Sequence, residues 1–252
     1  MSVLLADARH AFRALMKRPL FTGVAVLTLA VGIGANTAIF SIVRGVLLRP
    51  LPFERSDRLV RICETNPQVG NYCVASPPNV MDWRAGSRTL SEIGLGRDWP
   101  FHLRTEDGEQ TTIAGGLATA GLFRALRVKP ALGRLIEPED VVPGRQVIVL
   151  DHRLWADRFG SDPGIVGRRV DLDGEPFTVV GVLPAGFEVP GLEYVRLWRP
   201  LYFDPRNEEN RIWRGFQVIG RMADGATLAQ TRSELDAIRA WAAPGGVWWG
   251  SC

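Results

Sequence analysis

The chain has 252 residues, 46% hydrophobic and 23% charged, enough for one sizeable folded unit or two small ones. Its 30 basic and 27 acidic side chains are interspersed, with no basic run, so the formal charge of +3 does not point to nucleic acid as a partner. Three cysteines, Cys63, Cys73 and Cys252, match neither a disulfide-dense scaffold nor the paired spacings of a zinc site.

Residues 1–18 contain "LLADARHAFRALMKR". Leu4, Leu5, Ala8, Phe12, Leu15 and Met16 share one helical face, and Arg9, Arg13 and Lys17 share another. This pattern predicts a short basic amphipathic helix that lies in a lipid headgroup layer or docks a cytoplasmic partner.

From Pro19 to Val43 the chain carries no charge. As a helix this stretch would be about 37 Å long, at ~1.5 Å per residue, against a hydrocarbon core of about 30 Å. A soluble core helix rarely runs so far without a polar face. A cleaved export signal has an apolar segment of about 7–15 residues, and here the run continues through "AIFSIV" past the small residues. The reading adopted is a transmembrane helix over residues 19–48. Arg9, Arg13, Lys17 and Arg18 precede it more densely than Arg44 and Arg49 follow. That bias puts the amino terminus in the cytoplasm and residues after about 50 outside it. Ala30, Gly34 and Ala38 recur every fourth residue, a spacing that lets other membrane helices approach closely. "GIGANT" begins like a dinucleotide-binding turn, but no strand precedes it.

Beyond residue 49 the pattern becomes a mixture of short strands and helices. "RLVRICE" alternates as a strand, and "SPPNVMDWR" starts a helix with Ser76 at the N-cap. "PFHLRTEDGEQTTIAG" reads as a hairpin around Asp107-Gly108, and "AGLFRAL" as a short helix. "QVIVL" is a buried strand running into the helix "DHRLWADRFG". A second hairpin, "RRVDLDGEPFTVVGVLP", turns at Asp173-Gly174. "YVRLWRPL" and "GFQVIGRM" are further strands. The final helix begins after Asp224-Gly225, with Thr227 and Gln230 in capping-box positions. Frequent hairpins with interspersed helices define an α+β domain over residues 49–241.

Catalytic patterns are missing. His10, His102 and His152 form no ligand pair, and no GxSxG elbow or GxxxxGK[ST] phosphate loop occurs. His152 follows a buried strand, where an active-site residue can sit, but it also opens a helix, where a polar residue is ordinary. The acids Glu137 to Asp140 and the "NEEN" of Asn207 to Asn210 read as solvated loop charges. Trp83, Trp99, Trp155, Trp198 and Trp213 are spread among the elements and suit core packing, with any exposed one free to serve an interface. Cys63 and Cys73, ten positions apart, are either a disulfide or two free thiols.

In order, "DARHAFRALMKRPLFTGVAVLTLAVGIGANTAIFSIVRGVLLRPLPF", "SPPNVMDWR", "ALRVKPALGRLIEPED", "VIVLDHRLWADRFGSDPGIVGRRVDLDGEPFTVVGVLPAGF" and "VIGRMADGATLAQTRSELDAI" resemble the permease subunits of MacB-like ABC transporters. Among these they are most similar to the FtsX-like, duplicated acidobacterial-type permeases with a MacB-like periplasmic core domain. The resemblance covers roughly residues 7 to 240 and rests on the order of five motifs. It implies a bacterial cytoplasmic-membrane protein whose ATP is hydrolysed by a separate subunit beside residues 4–18. The domain after residue 50 would then meet substrate or periplasmic partners and act by mechanotransmission. It supplies no catalytic, cofactor-binding or metal-ligating residue. The resemblance also implies three return helices, whereas after "LDAIRA" the chain runs into an off-pattern tail over residues 242–252. The expectation drawn from this is a truncated or frame-shifted product. Two rivals are a free-standing anchored binding or sensor module and an anchored extracytoplasmic enzyme built around His152 or the acidic loops.

Overall fold

The computed structural model describes residues 18–47, 53–66, 70–104, 108, 110–202 and 215–242. The expected amphipathic helix with His10, the turn residue Asp107, the acidic stretch Asn207 to Asn210, Trp213 and the tail from residue 243 lie outside the described residues. The chain divides into two compact units, Met1–Leu51 and Pro52–Cys252.

The described part of the first unit is one helix, α1 (Pro19–Leu47). Its stretch Pro19–Ser41 is long and apolar enough to cross a membrane, about 34 Å at ~1.5 Å per residue. The Thr28 hydroxyl donates back to the Val24 carbonyl at 2.9 Å, so this polar group carries its own partner within the helix. Ala30, Gly34 and Ala38 fall on one exposed face.

The second unit is built on β1 (Leu59–Ile62), β4 (Leu90–Arg104), β5 (Gln110–Ala118), β6 (Leu132–Gly133), β7 (Val147–Leu150), β8 (Arg169–Leu172), β9 (Glu175–Val182), β10 (Leu197–Pro200) and β11 (Gln217–Met222). Among the described residues these form one nine-stranded sheet in the order β1-β11-β4-β5-β10-β7-β9-β6, with β8 joining β9 back to β4. That last pairing closes a ring, because Leu103 and Arg104 at the end of β4 register with Leu172 and Asp171 of β8. The strands β4, β5, β10, β7, β9 and β8 therefore surround a common interior. Alternation fills it: Phe101 and Leu103, Ile148 and Leu150, Val170 and Leu172, and Phe177 and Val179 all belong to one buried cluster. Helix α4 (His152–Phe159) adds Leu154 to this cluster, with Trp155 and Phe159 packed against it.

The other faces are covered by helices. Helix α2 (Pro77–Gly86) and helix α5 (Leu228–Ala242) contribute Val80, Trp83, Leu235 and Ile238 to a cluster with Ile62 of β1, Ile93 and Leu95 of β4 and Val218 of β11. Helix α3 (Ala120–Leu126) packs Leu122, Phe123 and Leu126 with Trp198 of β10 and Ile219 of β11. Phe123 meets Trp198 edge-on at 5.9 Å. The approach of α3 to β4 is backbone on backbone. A Cβ on Gly94 would lie 2.0 Å from the Leu122 nitrogen, and one on Gly121 would lie 2.1 Å from the Ile93 oxygen. Glycine at both positions is what permits this distance.

The hairpin expectations hold. β4 pairs antiparallel with β5 through Arg104–Gln110, and β8 pairs with β9 through Leu172–Glu175. Asp173 and Gly174 take φ of 57° and 83°, the paired left-handed residues that a two-residue hairpin turn requires. At the start of α5, the Thr227 N–H donates to Gln230 Oε1 and the Gln230 N–H to Thr227 Oγ1, a reciprocal box. Ser76 does sit at the N-cap of α2, but its side chain makes no capping bond. Pro77 and Pro78 have no N–H to offer, and the buried Ser76 N–H is itself taken by Glu64 at 3.3 Å. Cys63, just before β2 (Glu64–Asn66), is joined by a disulfide to Cys73 of β3 (Gly70–Val74), and the two strands pair antiparallel.

Candidate functional site

Among the described residues the two candidate histidines stand on different elements. His102 lies exposed on β4, its backbone exchanging hydrogen bonds with Asp173. His152 is the first residue of α4 and stacks edge-on with Trp155 at 5.3 Å. The cap of that helix is Asp151, whose carboxylate accepts from the Leu154 N–H at 2.7 Å and from Arg196 at 3.1 Å. Burial raises the Asp151 carboxyl above the ordinary range despite those donors.

The acids at Glu137 to Asp140 need a correction. Glu137 and Glu139 are exposed, but Asp140 is 1% exposed, not a solvated loop charge. It accepts from the Arg134 and Arg145 guanidinium groups and from the Glu137 N–H, closing a short 3-10 turn at Pro138–Asp140. Burial pushes its carboxyl up, and these donors outweigh that and hold it below the usual range. Among the described residues no group of His, Cys, Asp and Glu could hold a metal ion. Trp83 and Trp198 are core residues, and Trp155 is half-buried with its indole N–H on the Asp162 carbonyl. Trp99 is 42% accessible, with the Arg97 guanidinium 5.2 Å from its ring.

A groove of about 590 Å³ lies where the end of α3 and residues 127–137 face Ser91 and Glu92 of β4 and Arg221 of β11. Five cations line it, Arg124, Arg127, Lys129, Arg134 and Arg221, against the carboxylates of Glu92 and Glu137. Arg221 is 2% exposed. Its Nε donates to the Ala125 carbonyl at 2.6 Å and its Nη1 to the Arg55 carbonyl at 3.2 Å, so the guanidinium caps the C-terminal end of α3. Its Nη2 has no partner among the described residues. Burial, followed by the nearby charge of Arg127, lowers its pKa.

A second built feature holds α5. The half-buried Glu234 carboxylate accepts from Ser87 Oγ at 2.7 Å, the Arg88 N–H at 2.8 Å, the Thr89 N–H at 3.0 Å and Thr89 Oγ1. Burial raises this carboxyl, but the donors win and bring it down to about 2. The link between α2 and β4 is thereby tied to the last helix of the domain.

A helix long and apolar enough to cross a membrane thus precedes a mixed α+β domain. The profile of the MacB-like periplasmic core domain matches residues 22–238. The chain belongs to that family, the extracytoplasmic domain of MacB-like ABC transporter permeases. Solved structures show the same fold. The periplasmic region of MacB from Actinobacillus actinomycetemcomitans superposes with a TM-score of 0.55 at 16% identity, covering 73% of this chain and 84% of that one. A domain from a Porphyromonas gingivalis protein described as a permease gives 0.53 at 10% identity, covering 76% and 84%. No curated protein sequence matches the chain.

Proposed function

We propose that the chain is the anchored extracytoplasmic arm of a MacB-like ABC transporter in a bacterial cytoplasmic membrane. It performs no chemistry of its own. A separate ATPase on the cytoplasmic side hydrolyses ATP, the movement passes through α1, and the domain after residue 52 is displaced against its substrate or a periplasmic partner. The observation that carries this reading is the single family match running from within α1 to Ile238 of α5, so that anchor and domain form one recognised unit. The clamp on α5 supports it, because a domain that transmits force needs its terminal element fixed to its core. Other permease helices would pack on the face of Ala30, Gly34 and Ala38.

Two measurements test this. A single reactive cysteine at the exposed Asp157, in a Cys252→Ser background, is labelled in intact spheroplasts with a membrane-impermeant maleimide. Labelling without lysis is the expected result; protection until the membrane is opened would refute the orientation. Affinity purification of the full chain in mild detergent should then recover an ABC ATPase subunit. Its consistent absence, with the protein folded and in the membrane, would leave an anchored module without a motor.

A further inference from the structure

We propose that the groove between α3, residues 127–137 and Arg221 binds a compact phosphate-type dianion, either a soluble phosphate or the phosphate of a lipid headgroup. This assignment stands whether or not the chain is coupled to an ATPase. Of the five cations in the groove, two already have carboxylate partners elsewhere: Arg127 bonds Glu54 and Arg134 bonds Asp140. Among the described residues Arg124 and Lys129 have no ion pair, and both are exposed. Arg221 is buried and donates only to carbonyls, with one nitrogen unpartnered, among the described residues. The carboxylate whose charge it feels, Glu54, is the one bonded to Arg127.

A buried guanidinium with no carboxylate bonded to it, its nearby Glu54 being held by Arg127, is an unfavourable arrangement that an anion in the adjoining groove relieves. Three cations lacking a carboxylate match a doubly charged tetrahedral group better than a single carboxylate. Guanidinium and ammonium donors are the usual partners of phosphate oxygens. Glu92 and Glu137, also in the lining, repel an extended polyanion, which disfavours a nucleic-acid strand. The half-buried Val128 and Pro130 give the same groove an apolar wall, suited to the carbon side of a phosphate ester.

The test uses the full chain in maltoside detergent at low salt, titrated calorimetrically with inorganic phosphate, dihexanoyl phosphatidic acid and dihexanoyl phosphatidylcholine, with sodium chloride as the ionic-strength control. Saturable phosphate binding is expected, with a Kd of about 0.1–10 mM. Arg124→Gln with Lys129→Gln should weaken it at least about tenfold, since both are charge-assisted donors. Because neither side chain has a hydrogen bond or ion pair among the described residues, and Arg124 only adds a charge to the last turn of α3, the Tm without phosphate should fall by no more than about 3 °C. Phosphatidic acid binding at least about tenfold tighter than phosphate assigns the group to a lipid, whereas equal affinities assign it to a soluble ligand. The proposal is overturned if phosphate behaves like chloride, or if the double variant binds as well as the parent. It is equally overturned if polyglutamate binds and phosphate does not displace it, which would make the groove a site for acidic peptide.

Discussion

Replacing Glu234 by alanine removes one carboxylate from four donors at once, all of them in the link Ser87–Thr89 between α2 and β4. A carboxyl brought from 4.5 to about 2 corresponds to roughly 3.4 kcal/mol, at ~1.36 kcal/mol per unit. Glu234 is half-buried, so water replaces part of what is lost, and the expected cost at pH 7 is about 2–3 kcal/mol. For a domain of this size that is about 5–10 °C in Tm. The sign of the pH dependence follows from the depressed folded-state value. The contribution is present in full above the unfolded value near 4.5 and is lost as pH falls through about 2. Urea unfolding of the full chain in detergent, followed by tryptophan fluorescence at pH 7 and again near pH 2, measures both. Parent and Glu234→Ala should differ at the first pH and converge at the second. A difference below about 0.5 kcal/mol at pH 7, or one that persists unchanged near pH 2, would show that the carboxylate does not hold α5.

Opening the disulfide with Cys63→Ser and Cys73→Ser frees a short loop; chain entropy alone makes this worth about 2.5–3 kcal/mol, readable as a lower urea midpoint that reductant no longer changes. Gly94→Ala drives a methyl into the Leu122 backbone and should cost about 3 kcal/mol or more, with loss of near-ultraviolet dichroism; a wild-type Tm would contradict the close approach of α3. Trp198→Ala empties a fully buried site against Phe123 and should destabilise by about 3–5 kcal/mol in the same urea assay.

Local chemistry makes much of the fold legible in the sequence. The Asp173-Gly174 turn, the Thr227–Gln230 box and the run "QVIVL" each announce themselves within a few residues. The first half of β4 does not. Gly94 and Gly96 dilute its strand pattern, and the need for glycine at 94 comes from α3, which packs on it from later in the chain. The parallel pairings of β7 with β9 and β5 with β10 are also set by tertiary structure. At the candidate site, the missed residue is Arg221. It shares the parity of Ile219 along β11, whose burial places that face against α3, so period two alone marked an arginine on an inward face. Its partners, the Ala125 and Arg55 carbonyls, are far away in sequence and gave no local sign. Asp140 reads as solvated for the converse reason: three acids within four residues look exposed until Arg134 and Arg145 converge on one of them.

β4 belongs to two structures at once, since Leu90–Gly96 pairs with β11 under α2 and α5 while Gly96–Arg104 forms part of the closed ring. An uninterrupted strand is a poor joint. No loop separates the part of β4 paired with β11 from the part in the ring, so the two share one run of backbone. The amides from residue 90 to 104 should therefore exchange as one cooperative block instead of two.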